Sequence, residues 1–253
     1  MSTIDGQHRP PGIQLRLVGG FELVADGTTV PVPLIEQRLL AYLALHPRPM
    51  TRSLVAGTLW PEVTEQRATA NLRAALWRLP SPGHALVCCT STVVGLAAEV
   101  QVDHHMALDR ARALLADDAD PTDDGADLPS GDLLPGWEDA WVVVERERLR
   151  QLRIHGLEEA CRRHVCRGAT ADAIDLGLRA VAADPLRESA HRALIEAHLA
   201  EGNLAEATRA YDQFQTRLGA TLGLGPSEHM ERLMDGCRSR LNGAPPTVDT
   251  LVS

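Results

Sequence analysis

Lysine is absent: all 25 basic residues of the 253-residue chain are arginine. That excludes a P-loop, whose lysine must reach the phosphates. It also excludes a pyridoxal Schiff base or any other lysine nucleophile. No run of 18 or more apolar residues occurs, so no transmembrane helix and no membrane partner are expected. The opening residues, MSTIDGQHRPPG, lack the apolar core of a signal peptide. Five cysteines, an odd number without disulfide-framework spacing, fit a reducing compartment. Together these features read as a cytoplasmic protein. G-x-S-x-G, H-E-x-x-H and G-x-G-x-x-G are missing too, which removes the common hydrolase, metalloprotease and dinucleotide signals. Neither an enzyme nor a cofactor is expected.

What is present is enough apolar sequence, 44 %, for one large or two ordinary domains. The net charge of −9 is unevenly spread. Residues 1–103 carry 8 Arg against 8 Asp and Glu, whereas residues 104–253 carry 17 against 26. Only the first part is a candidate for a basic face that meets nucleic acid.

The first part opens with strands, Gln14–Phe21 and Glu22–Ala25. Asp26-Gly27 is a hairpin signal, because both residues tolerate positive φ, and Thr28–Val32 would pair back. Pro33 opens a helix, Leu34–His46, at the first-turn position proline prefers. Thr51 caps a second, Arg52–Trp60, and Thr64 a third, Glu65–Leu79. Pro80, Pro82 and Gly83 stop the third. Strands Ala85–Cys89 and Val93–Leu96, joined by Thr90-Ser91-Thr92, form a closing hairpin; one of Cys88 and Cys89 would be core. His104-His105 opens the next helix, to Leu115, as a solvated cap.

Asp117–Asp132 is acidic and turn-rich, and reads as a surface loop without a metal. The remainder is helical, starting with the long segment Trp137–Ala160, where Glu145, Arg146, Glu147 and Arg148 read as a solvated face. A repeat then appears. RGATADA at Arg167–Ala173 aligns with EGNLAEA at Glu201–Ala207, an offset of 34 residues that also matches Ala180 with Phe214; Pro185 ends the first unit. That offset is the tetratricopeptide period, two antiparallel helices per repeat. Cys161, His164 and Cys166 do not share one helix face and lack a fourth ligand at zinc spacing, so no metal is expected there.

The helix Glu65–Leu79 has two arcs when residues advance ~100° each. Ala68, Leu72, Ala75, Leu76 and Leu79 form the core face. Opposite lie Gln66, Arg67, Ala70, Asn71, Arg73, Ala74, Trp77 and Arg78. Small alanines let a helix axis approach base edges. Arginine pairs with guanine, asparagine with adenine, and other arginines hold phosphates. The bland alternative is a solvated arginine face, with Trp77 packed on a neighbouring element. The context of three helices and a hairpin favours a winged helix-turn-helix. The candidate DNA contacts are Arg52, Arg67, Thr69, Asn71, Arg73, Ala74, Trp77 and Arg78, with Thr90, Ser91 and Thr92 in the wing.

The order of elements resembles the OmpR-type winged helix with its extra N-terminal sheet. LWPE at Leu59–Glu62, ATANLRAALWRL at Ala68–Leu79 and VQVD at Val100–Asp103 carry a wider resemblance. So do GDLLPGWEDAWVVVERERLRQLR at Gly131–Arg153 and DPLRESAHRALIEAHLAEGNLAEATRAYDQF at Asp184–Phe214. On these residues the chain resembles the Streptomyces antibiotic regulatory protein family, with the second-half motifs similar to the bacterial transcriptional activator domain. The resemblance implies a mainly α chain. A flexible terminus, 1–12, would precede an α+β winged-helix domain, 13–103. An all-α tetratricopeptide-like activator domain, 104–240, with the acidic loop 117–132, would follow, and then a flexible tail, 241–253. It further implies a transcriptional activator that binds promoter direct repeats in double-stranded DNA; the few charges of the chain point to two protomers on adjacent repeats, a homodimer on the DNA. The activator would recruit RNA polymerase through its sigma factor and serve a secondary-metabolite cluster. Larger relatives append an ATPase domain; without lysine, and with Ser253 last, none is expected here. Two departures stand out: Pro80 replaces an arginine that often follows the recognition helix, and the wing lacks aromatic and basic residues. They leave open a helical-repeat protein-protein adaptor, or a ligand-sensing regulator, whose winged helix does not read DNA strongly.

Overall fold

The computed structural model describes residues 12–81, 85–116, 119–120, 122–123, 125 and 127–241, with side chains as far as 236. The expected flexible ends, Pro82, Gly83 and several residues of the acidic loop lie outside the described residues. The chain forms two compact units. One comprises residues up to 108 together with 129–149; the other comprises 109–128 together with the residues from 150 onward.

The first unit begins with β1 (Ile13–Arg16), β2 (Glu22–Ala25) and β3 (Thr28–Val30). The turn is as the dipeptide predicts, with Asp26 at φ 46° and Gly27 at φ 82°, the doubly positive geometry that matches strand twist. Helix α1 (Leu34–Leu45) follows, with Pro33 in extended geometry one position before it. Next come β4 (Met50–Thr51), α2 (Arg52–Leu59), α3 (Glu65–Arg78), β5 (Val87–Cys89), β6 (Val93–Leu96) and β7 (Val100–Val102). Strand β7 runs parallel to β1, Ile13 opposite Val100, and completes a four-stranded sheet ordered β3-β2-β1-β7. Strand β4 pairs with β6, so the wing is three-stranded, β4-β6-β5.

Leu39, Tyr42 and Leu43 of α1 meet Val55, Ala56 and Leu59 of α2, Ala68, Leu72 and Ala75 of α3, and Val94 of β6. These are the apolar positions at helical spacing, and they form one core. Thr51 and Thr64 supply extended backbone at the helix starts but no side-chain cap bond. Thr51 is instead paired into β4, opposite Val93.

Residues 129–149 add a turn and the first part of α5 (Ala140–Cys166). Leu133 and Leu134 are buried, and Leu134 takes φ 43°. Arg146 donates to the carbonyls of Leu133, Leu134 and Trp137 at 2.5–2.9 Å. The expected solvated face 145–148 is therefore wrong at Arg146, which satisfies a buried turn's acceptors. Trp141 packs edge-on against Tyr42, centroids 5.1 Å apart. The solvated cap expected at His104-His105 is also corrected. His104 is buried, and His105 Nε2 lies 2.7 Å from the Ala44 carbonyl at the end of α1. These residues open α4 (Asp103–Leu115). Asp103 accepts from the Leu17 and Val18 amides at 2.8 and 3.0 Å, while burial raises its carboxyl above the usual range.

The second unit is helical. It includes α6 (Thr170–Ala183), α7 (Glu188–Glu201), α8 (Leu204–Leu222) and α9 (Glu228–Leu241). The 34-residue offset places Gly168 and Gly202 just before α6 and α8, at φ 76° and 83°. Pro185 falls between α6 and α7, so it ends the first helix of the repeat and not the repeat itself. Ala160, Cys161, Ala173, Leu176, Ala180, Ala190 and Ala193 form one core; Ala207, Tyr211, Phe214, Met230 and Met234 belong to the next. The acidic loop is tied down where it is described. Asp123 is forked by Arg110, Gly125 O accepts from Arg179 at 2.8 Å, and Leu128 is buried.

Candidate nucleic-acid interface

Helix α3 has the two faces its sequence predicts. Ala68, Leu72 and Ala75 are buried; Arg67, Ala70, Arg73, Ala74 and Trp77 are exposed, and Thr69 and Asn71 are half-buried. At ~1.5 Å per residue the face runs about 15 Å from Arg67 to Trp77, enough to cross a ~12 Å major groove. Arg67 and Arg73 have neither a hydrogen-bond nor an ion-pair partner among the described residues. Trp77 is 88 % exposed, so it does not pack on a neighbouring element.

The structure gives other candidates partners inside the chain. Arg78 Nε donates to Glu36 Oε1 at 2.8 Å, with Glu36 only 2 % exposed. Arg52 Nη1 donates to the Thr90 carbonyl at 3.2 Å, and its amide donates to the Thr92 carbonyl at 2.9 Å. The Thr90 hydroxyl accepts from the Thr92 and Val93 amides at 3.2 and 3.1 Å. Arg52 and Thr90 thus fix the wing turn to the start of α2. Ser91 is exposed at the tip, and the Thr92 hydroxyl is within 3.3 Å of that of Thr90.

Both cysteines of β5 are exposed. The core position expected for one of them is corrected: β5 is an edge strand, and Val87 is the one of its residues that packs on the core. Cys161 is buried, its thiol pushed up to about 12 by burial, and its Sγ donates to the Ala173 carbonyl at 3.2 Å. Among the described residues no group of three His, Cys, Asp or Glu is placed to hold a metal.

Sequence reasoning missed Glu36 and Arg38. Arg38 Nη1 donates to the Leu59 carbonyl at the end of α2 (3.3 Å), and Nη2 to Asp139 at 2.5 Å. A signal was available at Glu36. It precedes Leu39, Leu40 and Leu43 by three, four and seven residues, which puts a charge on a core face where it needs a partner.

A three-helix core that exposes one face of α3, a three-stranded wing and an N-terminal sheet, followed by paired helices, define a winged-helix fold with a helical-repeat domain, the class of a transcription regulator on the family match that follows. Residues 97–238 match the bacterial transcriptional activator domain. The chain belongs to that family, and its winged-helix N-terminus joined to this domain is the arrangement of the Streptomyces antibiotic regulatory protein activators. It is 28 % identical over 234 residues to the regulatory protein AfsR of Streptomyces coelicolor, a match covering 87 % of this chain and 24 % of that one. The chain thus spans about a quarter of the length of this curated relative. The solved structure of Mycobacterium tuberculosis EmbR in complex with a low-affinity phosphopeptide shares the fold. Its TM-score is 0.68 at 17 % identity, over 94 % of this chain and 67 % of that one. No helix among the described residues is long and apolar enough to cross a membrane.

Proposed function

We propose that the protein is a sequence-specific DNA-binding activator that reads promoter repeats with the outer face of α3. The observation that carries this is the exposed strip Arg67, Ala70, Arg73 and Ala74, whose arginines have no partner among the described residues. Asn71 and Thr69 flank the strip, Trp77 extends it, and the Ser91 hydroxyl is available to a neighbouring phosphate. Few cations serve each protomer, so two protomers on adjacent repeats supply the affinity. The repeated helices present surface to another chain, and the sigma factor of RNA polymerase is the partner proposed for them. A secondary-metabolite cluster is the proposed target, supported by the family.

A mobility-shift titration on the promoter upstream of the protein's own gene cluster tests this. The parent shifts the fragment, and affinity falls steeply with salt, by roughly one counterion per phosphate neutralised. Arg73→Ala is expected to weaken binding about 10-fold or more. Equal binding by the variant would remove α3's outer face from the interface. Salt-insensitive binding, together with DNA-independent capture of RNA polymerase, would favour the adaptor. The specific observation on that side is the wing tip, whose Thr90 hydroxyl is used internally.

A further inference from the structure

We infer that Glu36 and Arg78 form a positioning pair: a buried carboxylate on α1 fixes the last turn of the recognition helix, and Arg78 serves as its anchor and not as a phosphate or base contact. The inference rests on the proposal that α3 reads DNA, and it names what sets that helix's position.

Three observations converge on it. First, Glu36 is 2 % exposed and its oxygen accepts from Arg78 Nε at 2.8 Å. A carboxylate at that depth requires a partner, and through Nε this arginine supplies the contact nearest its own backbone. Second, α3 lacks the ordinary stop. Helices α7 and α8 end on left-handed Gly202 and Gly223, residues that tie up terminal carbonyls. Helix α3 ends at Leu79 with φ −56° and ψ 137°, and the following Pro80 has no amide to donate. Its last turn would fray without a side-chain tether. Third, the pair suits both helix dipoles: Glu36 lies in the first turn of α1 and Arg78 in the last turn of α3. Arg38 does the matching work for α2 through the Leu59 carbonyl. Helix α1 thus holds the C-terminal ends of both helices of the helix-turn-helix. Trp77, next to Arg78 and fully presented, depends on that tether for its place on the reading face.

The two roles open to Arg78 differ in sign at Glu36. If Arg78 met phosphate, removing Glu36 would delete a negative charge beside the DNA and leave binding equal or tighter. As a positioning residue, Glu36 is needed for binding. The test uses the full chain and a duplex that the parent protein enriches from a random-sequence library. Glu36→Ala and Arg78→Ala are each expected to lose about 10-fold in affinity, with the slope of log K against log salt unchanged. The double variant should bind no more weakly than either single one. Glu36→Gln, which keeps an acceptor for Nε–H, is expected to stay within about threefold of the parent. A slope reduced by about one for Arg78→Ala, with Glu36→Ala binding undiminished, overturns the inference. Amide exchange on the free proteins gives a readout that needs no DNA. Residues 75–79 should exchange faster in both alanine variants while α1 and α2 keep parental rates; unchanged exchange there also overturns the inference. Should the parent enrich no duplex, the DNA-reading proposal fails, and the exchange data alone decide the tether.

Discussion

His191 lies against Phe214, ring centroids 4.4 Å apart, with Nε2 3.1 Å from the Pro185 carbonyl. Burial lowers its pKa; Arg217 adds to the shift, while the Pro185 hydrogen bond and Asp184 oppose it. Between the lowered value and the ordinary value of 6.5, the unfolded chain takes up a proton that the folded chain refuses. Stability from this group is therefore complete above the ordinary value and is lost as pH falls below it. Thermal melts taken from about pH 7.5 down to about pH 5.5 should show a falling midpoint for the parent and a flatter profile for His191→Gln. An identical pH dependence in the two proteins would show that this imidazole is not held neutral by its surroundings. The same scale separates α3's arginines. Arg67 and Arg73 look alike to Arg78 in the sequence, yet only Arg78 has a buried carboxylate to hold it.

Element by element, the sequence was most legible where a local rule acts on adjacent residues. Asp26-Gly27 took the doubly positive φ that its turn requires, and α1, α2 and α3 begin at the expected residues and end one residue short of the expected ends. The 34-residue offset located two left-handed glycines and the small-residue core between paired helices. Strands β4 and β7 escaped because two and three residues carry no periodicity; their pairing is decided by distant partners, Val93–Val94 and Ile13–Leu15. Exposure within the candidate site was half legible. Periodicity gave α3's faces, but it could not show that Glu36 would capture Arg78, or that the wing tip would spend a hydroxyl on its own amides.

Gly177 tests the close packing of α6 on α7. A Cβ there would lie 2.9 Å from Leu194 Cα and 3.1 Å from Leu194 Cβ. Removing a helix glycine gains up to ~1 kcal/mol in intrinsic propensity, but overpacking against backbone costs ~1–3 kcal/mol and decides the sign. Gly177→Val is expected to destabilise the protein in denaturant unfolding. Gly57→Ala in α2, which meets nothing within 4 Å, should be neutral or stabilising by up to ~1 kcal/mol. A Gly177→Val chain as stable as the parent would mean that α6 and α7 can move apart at little cost.

Across the whole molecule, charge divides the labour. The net −9 resides entirely in residues 104–253, while residues 1–103 are neutral overall and present Arg67 and Arg73 on one helix face. On the proposed reading, long-range attraction to DNA is weak, and specificity would have to come from contact at α3. The most direct measurement is binding-site selection from a random-duplex library, sequenced for the parent and for Arg67→Ala and Arg73→Ala. The parent should enrich a repeated motif, and each variant should lose base preference at one or two positions within every repeat, because a bidentate base contact discriminates by ~1–3 kcal/mol. Enrichment of the same motif at the same strength by all three proteins would contradict the assignment of α3 as the reading helix.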